Sequence, residues 1–260
     1  MLTGIPAAWG VFQQPVMDEY GLSEQGAGYA FGILIAAFGV GCVIGGFLQD
    51  KHGPRCAGLW GTALLCGGFF AAAMLPGGSA GTFFLAFSIP AGLGTAFLYP
   101  SIQSCAQKWY AGRKGLATGV IGGAVGLSGA FLTIFVRTAV NGFWIVQGIR
   151  GAFWALGAIT LPICLVGSLL LQDPPESAQK QQGSGKNALD LSPWQMLKTR
   201  QYWLCAGAVC FSTPAVLLFS PIILKLGMER GLDERAALWS VVLGSVGSAA
   251  GRLLMPMLPS

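Results

Sequence analysis

Residues 25–49 carry no charged side chain, and neither do residues 56–107. Apolar runs of this length, one after another, have no place in a water-soluble core. A bilayer core about 30 Å thick asks for about 20 apolar residues of helix, at about 1.5 Å each. Counting the runs between charges gives seven or eight such spans. Residues 25–49 form one, and residues 56–107 hold two, parted near the middle by the turn-forming "PGGSAG" of residues 76–81. Residues 115–136, 151–172 and 201–224 supply one each, and residue 236 opens another that Arg252 interrupts. Residues 1–17 are barely long enough and read as a first span lacking its front half. They carry no basic leader and pass into acidic Asp18 and Glu19, which argues against a cleaved signal peptide.

Composition agrees with lipid as the solvent. Hydrophobic residues make up 53% of the 260 and charged ones 10%, against roughly 25% charged in soluble domains. The mean hydropathy is +0.63. There are 40 glycines, and glycine is tolerated in transmembrane helices because it lets backbones approach. A transmembrane β-barrel would need strands of about ten residues with alternating polarity. The runs here are long and continuous, so the expected fold class is an all-α integral membrane bundle.

Lysine and arginine stay preferentially on the cytoplasmic side of short loops. One set of alternate loops holds Lys51, Arg55, Lys108, Arg113, Lys114, Lys180, Lys186, Lys198 and Arg200. The other holds Arg137, Arg150, Lys225, Arg230 and Arg235. The excess puts residues 50–55 and the long polar segment 172–200 in the cytoplasm, with Arg137 and Arg150 running against the trend. That segment, with "DPPESAQKQQGSGKN", is too polar and too rich in turn residues to build a core. The expected organisation is a six-helix half over residues 1–171, a linker over 172–200 and the opening of a second half over 201–260. Bundles of two halves bind substrates between repeats near the midplane.

The stretch "GGFLQDKHGPR" closes the second span. Gly46, Asp50, Lys51, Gly53 and Arg55 fill, in order and in the loop between spans two and three, a pattern that resembles the loop signature of the major facilitator superfamily. Gly53 permits a tight turn, Asp50 can accept from a helix end or an arginine, and Arg55 can form a two-pronged pair with a carboxylate. Such contacts would exist in one conformation and break in another, making a gating latch. Lys51 and Arg55 as mere headgroup anchors is the alternative.

A second stretch narrows the resemblance. "KWYAGRKGLATG", residues 108–119, resembles the connection from span four to span five in the oxalate/formate antiporter family, and the monocarboxylate transporters carry a looser version. "SPWQMLKTRQYWL", residues 192–204, looks like the segment leading into span seven of the same antiporters. Members of that family have twelve spans, so this chain is expected to hold about spans one to eight, and to be incomplete. In span five Gly115, Gly119 and Gly123 recur every fourth residue, with Gly122, Gly126 and Gly129 beside them, leaving one face almost without side chains. The resemblance puts that face at the contact between halves, although the usual antiporter Gly-Pro pair is absent. Tight packing without a mechanistic role is the alternative.

Arg252 is the strongest candidate for substrate contact. A guanidinium inside an uncharged span costs from about 2.5 kcal/mol upward, so it faces a cavity or a partner. Its position in "GSAAGRLLMPMLPS" resembles that of the arginine thought to hold the carboxylate in the oxalate/formate antiporters, and a planar fork suits a carboxylate. A structural pairing with another helix stays open. The same resemblance puts Tyr99 on the cavity wall; Trp9 and Gln13 are candidate wall residues by position on span one. The resemblance implies a second basic residue on span eleven, outside this chain.

Other chemistry is sparse. His52 is the only histidine, and the seven cysteines are scattered without ligand spacing. No phosphate loop or Ser/His/Asp set appears, so neither an enzyme, a cofactor, a metal nor a nucleic-acid partner is expected. The expected partners are the lipid bilayer and a small carboxylate anion carried by alternating access. The alternatives are a carrier of another solute, such as a sugar or drug, and a non-transporting membrane fragment.

Overall fold

The computed structural model of the chain describes residues 4–76, 80–140, 148–175, 193–231 and 233–257. Almost all of these residues are helical, and among the described residues there is no strand. Helix α1 is Ile5–Tyr20, with Pro6 in its first turn and Gly21 closing it at φ 65°, the left-handed cap that glycine adopts without strain. A continuous run, Glu24–Met74, comes next. Ser23 caps its start by accepting the Gly26 N–H at 3.1 Å.

Gly53 breaks this run. Its φ of 84° and ψ of 166° lie outside helical space, and only glycine takes up that conformation cheaply. Pro54 then occupies the first turn of the next helix, where its missing N–H costs nothing. The run is therefore two spans, α2 (24–52) and α3 (54–74). Helix α4 is Ala80–Trp109, entered through a π-helical turn at Phe84–Ser88. Helices α5, Lys114–Val140, and α6, Gly148–Leu170, complete the first six. After a single turn at Pro193–Met196 come α7, Arg200–Glu229, and α8, Glu234–Leu254. Most of the expected linker, residues 176–192, lies outside the described residues. Five of the described helical runs are long and apolar enough to cross a membrane, with Glu24–Met74 counted once.

Lipid gives helices no hydrophobic reason to associate, so packing and interhelical hydrogen bonds must hold the bundle. Aromatic rings fill its centre. Phe87 of α4 lies 5.0 Å from Phe153 of α6, 5.9 Å from Phe69 of α3 and 6.5 Å from Trp9 of α1, centroid to centroid. Elsewhere glycines bring backbones together. A Cβ added to Gly94 of α4 would lie 2.5 Å from the Leu65 nitrogen of α3, and one on Gly92 would lie 2.5 Å from the Leu34 carbonyl oxygen of α2. Between α3 and α6 the Thr62 and Ser168 hydroxyls hydrogen-bond at 3.1 Å.

The loops between helices divide by charge. The basic end carries Lys51, Arg55, Lys108, Arg113 and Lys114. At the other end Arg150 meets Glu19, Nε to Oε1, at 2.7 Å; the approach is an ion pair rather than an aligned hydrogen bond. The Arg150 guanidinium also lies 6.0 Å from the Tyr20 ring centroid, and the Tyr20 hydroxyl donates to the Ala72 carbonyl at 2.7 Å. One arginine that ran against the charge trend is thus a tie between α1 and α6.

Replacement of Gly94 with alanine is expected to lower the melting temperature of the detergent-solubilised protein, because overpacking against backbone costs about 1–3 kcal/mol. Gly28→Ala is the matched control, since nothing lies within 4 Å of a Cβ added there. Thermal unfolding followed by size-exclusion chromatography compares the two; equal melting temperatures would contradict the backbone contact.

Candidate functional site

At the basic end, α3 and α6 approach so closely that a Cβ on Gly58 would meet the Ser168 hydroxyl at 2.9 Å. This brings Arg55, in the first turn of α3, beside the exit of α6. Its Nε donates to the Leu171 carbonyl at 2.9 Å. The last carbonyls of any helix lack intrahelical donors, and a cation there also suits the helix dipole. The expected partner was a carboxylate; the observed one is a helix-end carbonyl. The reason is distance along the chain, since Leu171 becomes a neighbour only once α3 and α6 pack.

The next residues are gripped from α4. The Trp109 indole N–H donates to the Gln172 carbonyl at 2.7 Å, and the Cys105 thiol donates to the same oxygen at 3.1 Å. Lys108 Nζ pairs with Asp173 Oδ1 at 2.8 Å. Gln107 Nε2 reaches the Thr118 hydroxyl of α5 at 3.0 Å. Residues 171–173 are therefore clasped by the loop between α2 and α3 together with the end of α4. Asp50 and Lys51 are exposed, and Gly46 has no atom within 4 Å of where its Cβ would be.

Along the other seam, α5 packs on α8. An added Cβ on Gly126 would lie 2.6 Å from Ala249 Cα, one on Gly119 2.9 Å from the Leu253 carbonyl oxygen, and one on Gly115 would strike the Pro256 carbonyl. At Gly123 the contacts are looser, 3.6 Å to the Ala249 oxygen and to Leu253 Cβ. Among these glycines runs the Arg252 side chain, whose Cβ would stand 3.1 Å from a Cβ on Gly122. Arg252 itself is exposed. At about 1.5 Å per residue, Gly122 lies about 12 Å along α5 from Lys114, and Arg252 itself is in the last turn of α8.

Among the described residues no hydrogen bond joins the remaining candidates to Arg252. Tyr99 lies about 14 Å along α4 from Lys108, a comparable depth. It is half-buried, with its ring 6.5 Å from that of Phe38 on α2. Gln13 is half-buried on α1. Trp9 is 1% exposed and packs against Phe31 and Phe87. It belongs to the aromatic core and offers no wall to a solute, contrary to the expectation; an amphipathic ring on a short span gives no hint of which face is buried. Sequence reasoning also missed the grip of Cys105, Lys108 and Trp109 on residues 172–173. Its one available signal was a Lys-Trp pair at one helix end and an aspartate just past another.

The profile of the Major Facilitator Superfamily matches residues 2–259. The oxalate:formate antiporter of Oxalobacter formigenes is 24% identical over 204 residues, covering 78% of this chain and 47% of that protein. An uncharacterized MFS-type transporter of Escherichia coli (strain K12), YhjX, is 24% identical over 251 residues, covering 96% and 61%. Monocarboxylate transporter 9 of Rattus norvegicus is 28% identical over 173 residues, covering 64% and 32%. The chain thus spans from about a third to three fifths of the length of these relatives. With its all-α bundle of apolar helices and a profile match over essentially its whole length, the chain belongs to the Major Facilitator Superfamily.

Proposed function

We propose that the protein is a secondary transporter of small carboxylate anions that works by alternating access, with Arg252 as the anchor for the anion. The observation that carries this reading is the Arg252 stem lying across Gly122 at the seam of α5 and α8. A guanidinium at that depth is costly and is retained where it meets an anion or a partner. Its fork gives a carboxylate two parallel hydrogen bonds. Tyr99, at a similar depth, would add a hydroxyl donor, and Gln13 remains a wall residue. The Oxalobacter relative's name specifies oxalate and formate and the rat relative's name monocarboxylates; carboxylate is the chemistry they share.

Acidic residues among the described ones, Asp18, Glu19, Glu24, Asp50, Asp173, Glu229, Asp233 and Glu234, all lie at helix ends or in connections. Among the described residues no carboxylate sits at midmembrane to accompany a proton, which favours exchange over proton coupling. In this reading residues 1–171 form one rocking half, 172–200 the linker and 201–260 the opening of the second half. The basic end faces the cytoplasm, as the excess of lysine and arginine supports. There Asp50, Lys51, Gly53 and Arg55 form the gate, with Arg55 working through the exit of α6. Gly115, Gly119, Gly123 and Gly126 supply the packing surface on which the halves meet.

Arg252→Gln is expected to weaken binding of radiolabelled oxalate to the purified protein by about 10- to 100-fold, since hydrogen bonds to charged groups contribute about 1.5–3 kcal/mol. Its melting temperature should stay at the wild-type value. Unchanged oxalate affinity, or a wild-type protein that binds an uncharged solute and no oxalate, would refute the reading. For the gate, Trp109→Phe removes one donor to Gln172 and is expected to raise the alkylation rate of Cys105, 5% exposed, by about two- to tenfold, matching one hydrogen bond of about 0.5–1.5 kcal/mol. Maleimide labelling resolved by mass spectrometry reads the rate; no increase would contradict the clasp.

A further inference from the structure

The glycines of α5 are not equivalent. Gly115, Gly119 and Gly126 face backbone atoms of α8 or of the turn after it, and an added methyl at any of them must push two main chains apart. Gly122 meets the Arg252 side chain first. A Cβ there would find Arg252 Cβ at 3.1 Å, Cδ at 3.6 Å and Cγ at 3.7 Å. Three successive carbons of the arginine stem thus lie flat on the bare backbone of α5. Among the described residues no ion pair or hydrogen bond holds the guanidinium. The stem of the side chain follows the track that Gly122 leaves open.

We infer that Gly122 is a positioning residue for Arg252: its missing side chain is the groove that aims the guanidinium. This inference rests on the reading of Arg252 as the anion anchor. The physical argument is leverage. A methyl at 122 would fill the track in which Arg252 Cδ and Cγ lie, 3.6 and 3.7 Å away, and its 3.1 Å approach to Arg252 Cβ asks α8 to give by a few tenths of an ångström. Cγ and Cδ turn about χ1 and χ2, and a filled track sends the stem to a different staggered well, which redirects the guanidinium. A fork that must meet both carboxylate oxygens loses its second hydrogen bond when it is turned or shifted.

The glycines supply their own controls. Gly123→Ala adds the same methyl one residue along, at ordinary 3.6 Å contacts with Ala249 and Leu253. Gly126→Ala drives a methyl to within 2.6 Å of Ala249 Cα and reports what forcing the helices apart does. The experiment measures radiolabelled oxalate binding, melting temperature and the rate at which phenylglyoxal modifies Arg252, resolved by peptide mass spectrometry. It uses the purified full chain, comparing Gly122→Ala, Gly123→Ala, Gly126→Ala and Arg252→Gln with wild type. Gly122→Ala is expected to bind oxalate about tenfold more weakly, as for the loss of one charge-assisted hydrogen bond. Its Arg252 modification rate should change while its melting temperature stays with that of Gly123→Ala. Gly126→Ala is expected to lose melting temperature.

The inference is overturned if Gly122→Ala matches Gly123→Ala in both oxalate affinity and Arg252 modification while Arg252→Gln has lost binding. It is overturned equally if Gly122→Ala loses melting temperature as Gly126→Ala does, because Gly122 is then a packing residue. Retention of wild-type affinity by Arg252→Gln is a separate result that sinks the anion-anchor reading itself.

Discussion

Contact between helix backbones is the constraint on which the rest of this structure depends. In lipid, apolar side chains gain nothing from leaving their solvent, so helices adhere through close packing and a few polar ties. Gly94 against Leu65, Gly92 against Leu34 and Gly126 against Ala249 bring main chains within reach of one another along three different seams. Side chains longer than hydrogen at these places would hold the helices apart. The aromatic cluster of Trp9, Phe69, Phe87 and Phe153 fills the buried centre between α1, α3, α4 and α6. At those seams glycine is a packing device, and α5 sets a run of them, Gly115, Gly119, Gly122 and Gly126, against α8 and the turn after it.

Close packing decides what the charged residues can do. Because α3 and α6 touch at Gly58 and Ser168, Arg55 reaches the exit of α6 and satisfies a carbonyl that the helix leaves unpaired. Because α5 and α8 touch, a side chain at position 252 must lie along α5. Both arginines sit where two helices have been drawn together. The signature loop and the candidate anion anchor are consequences of one packing scheme, read at different depths of the bundle.

Much of this was legible in the sequence, and the boundary of legibility is instructive. Charge-free runs located the helices to within a few residues. Gly53 followed by Pro54 announced the break between α2 and α3, because both residue types act on their own backbone. Relations between distant residues were hidden. Nothing local to Arg55 points to Leu171, and nothing local to Arg150 points to Glu19. Trp9 looked like a wall residue because its position on α1 was known and its neighbours on α2 and α4 were not. The glycine periodicity of α5 showed a bare face but could not say that Gly122 meets a side chain where Gly126 meets a backbone. Such facts arise only when a second helix arrives.

The most direct test of the central claim is counterflow of radiolabelled oxalate into proteoliposomes that contain the protein and are loaded with unlabelled oxalate or formate. Carboxylate exchange anchored at Arg252 gives uptake that needs an internal carboxylate, is undiminished when the proton gradient is collapsed, and disappears in the Arg252→Gln variant. Uptake that proceeds into empty vesicles under a proton gradient alone, or that survives the loss of Arg252, would contradict it.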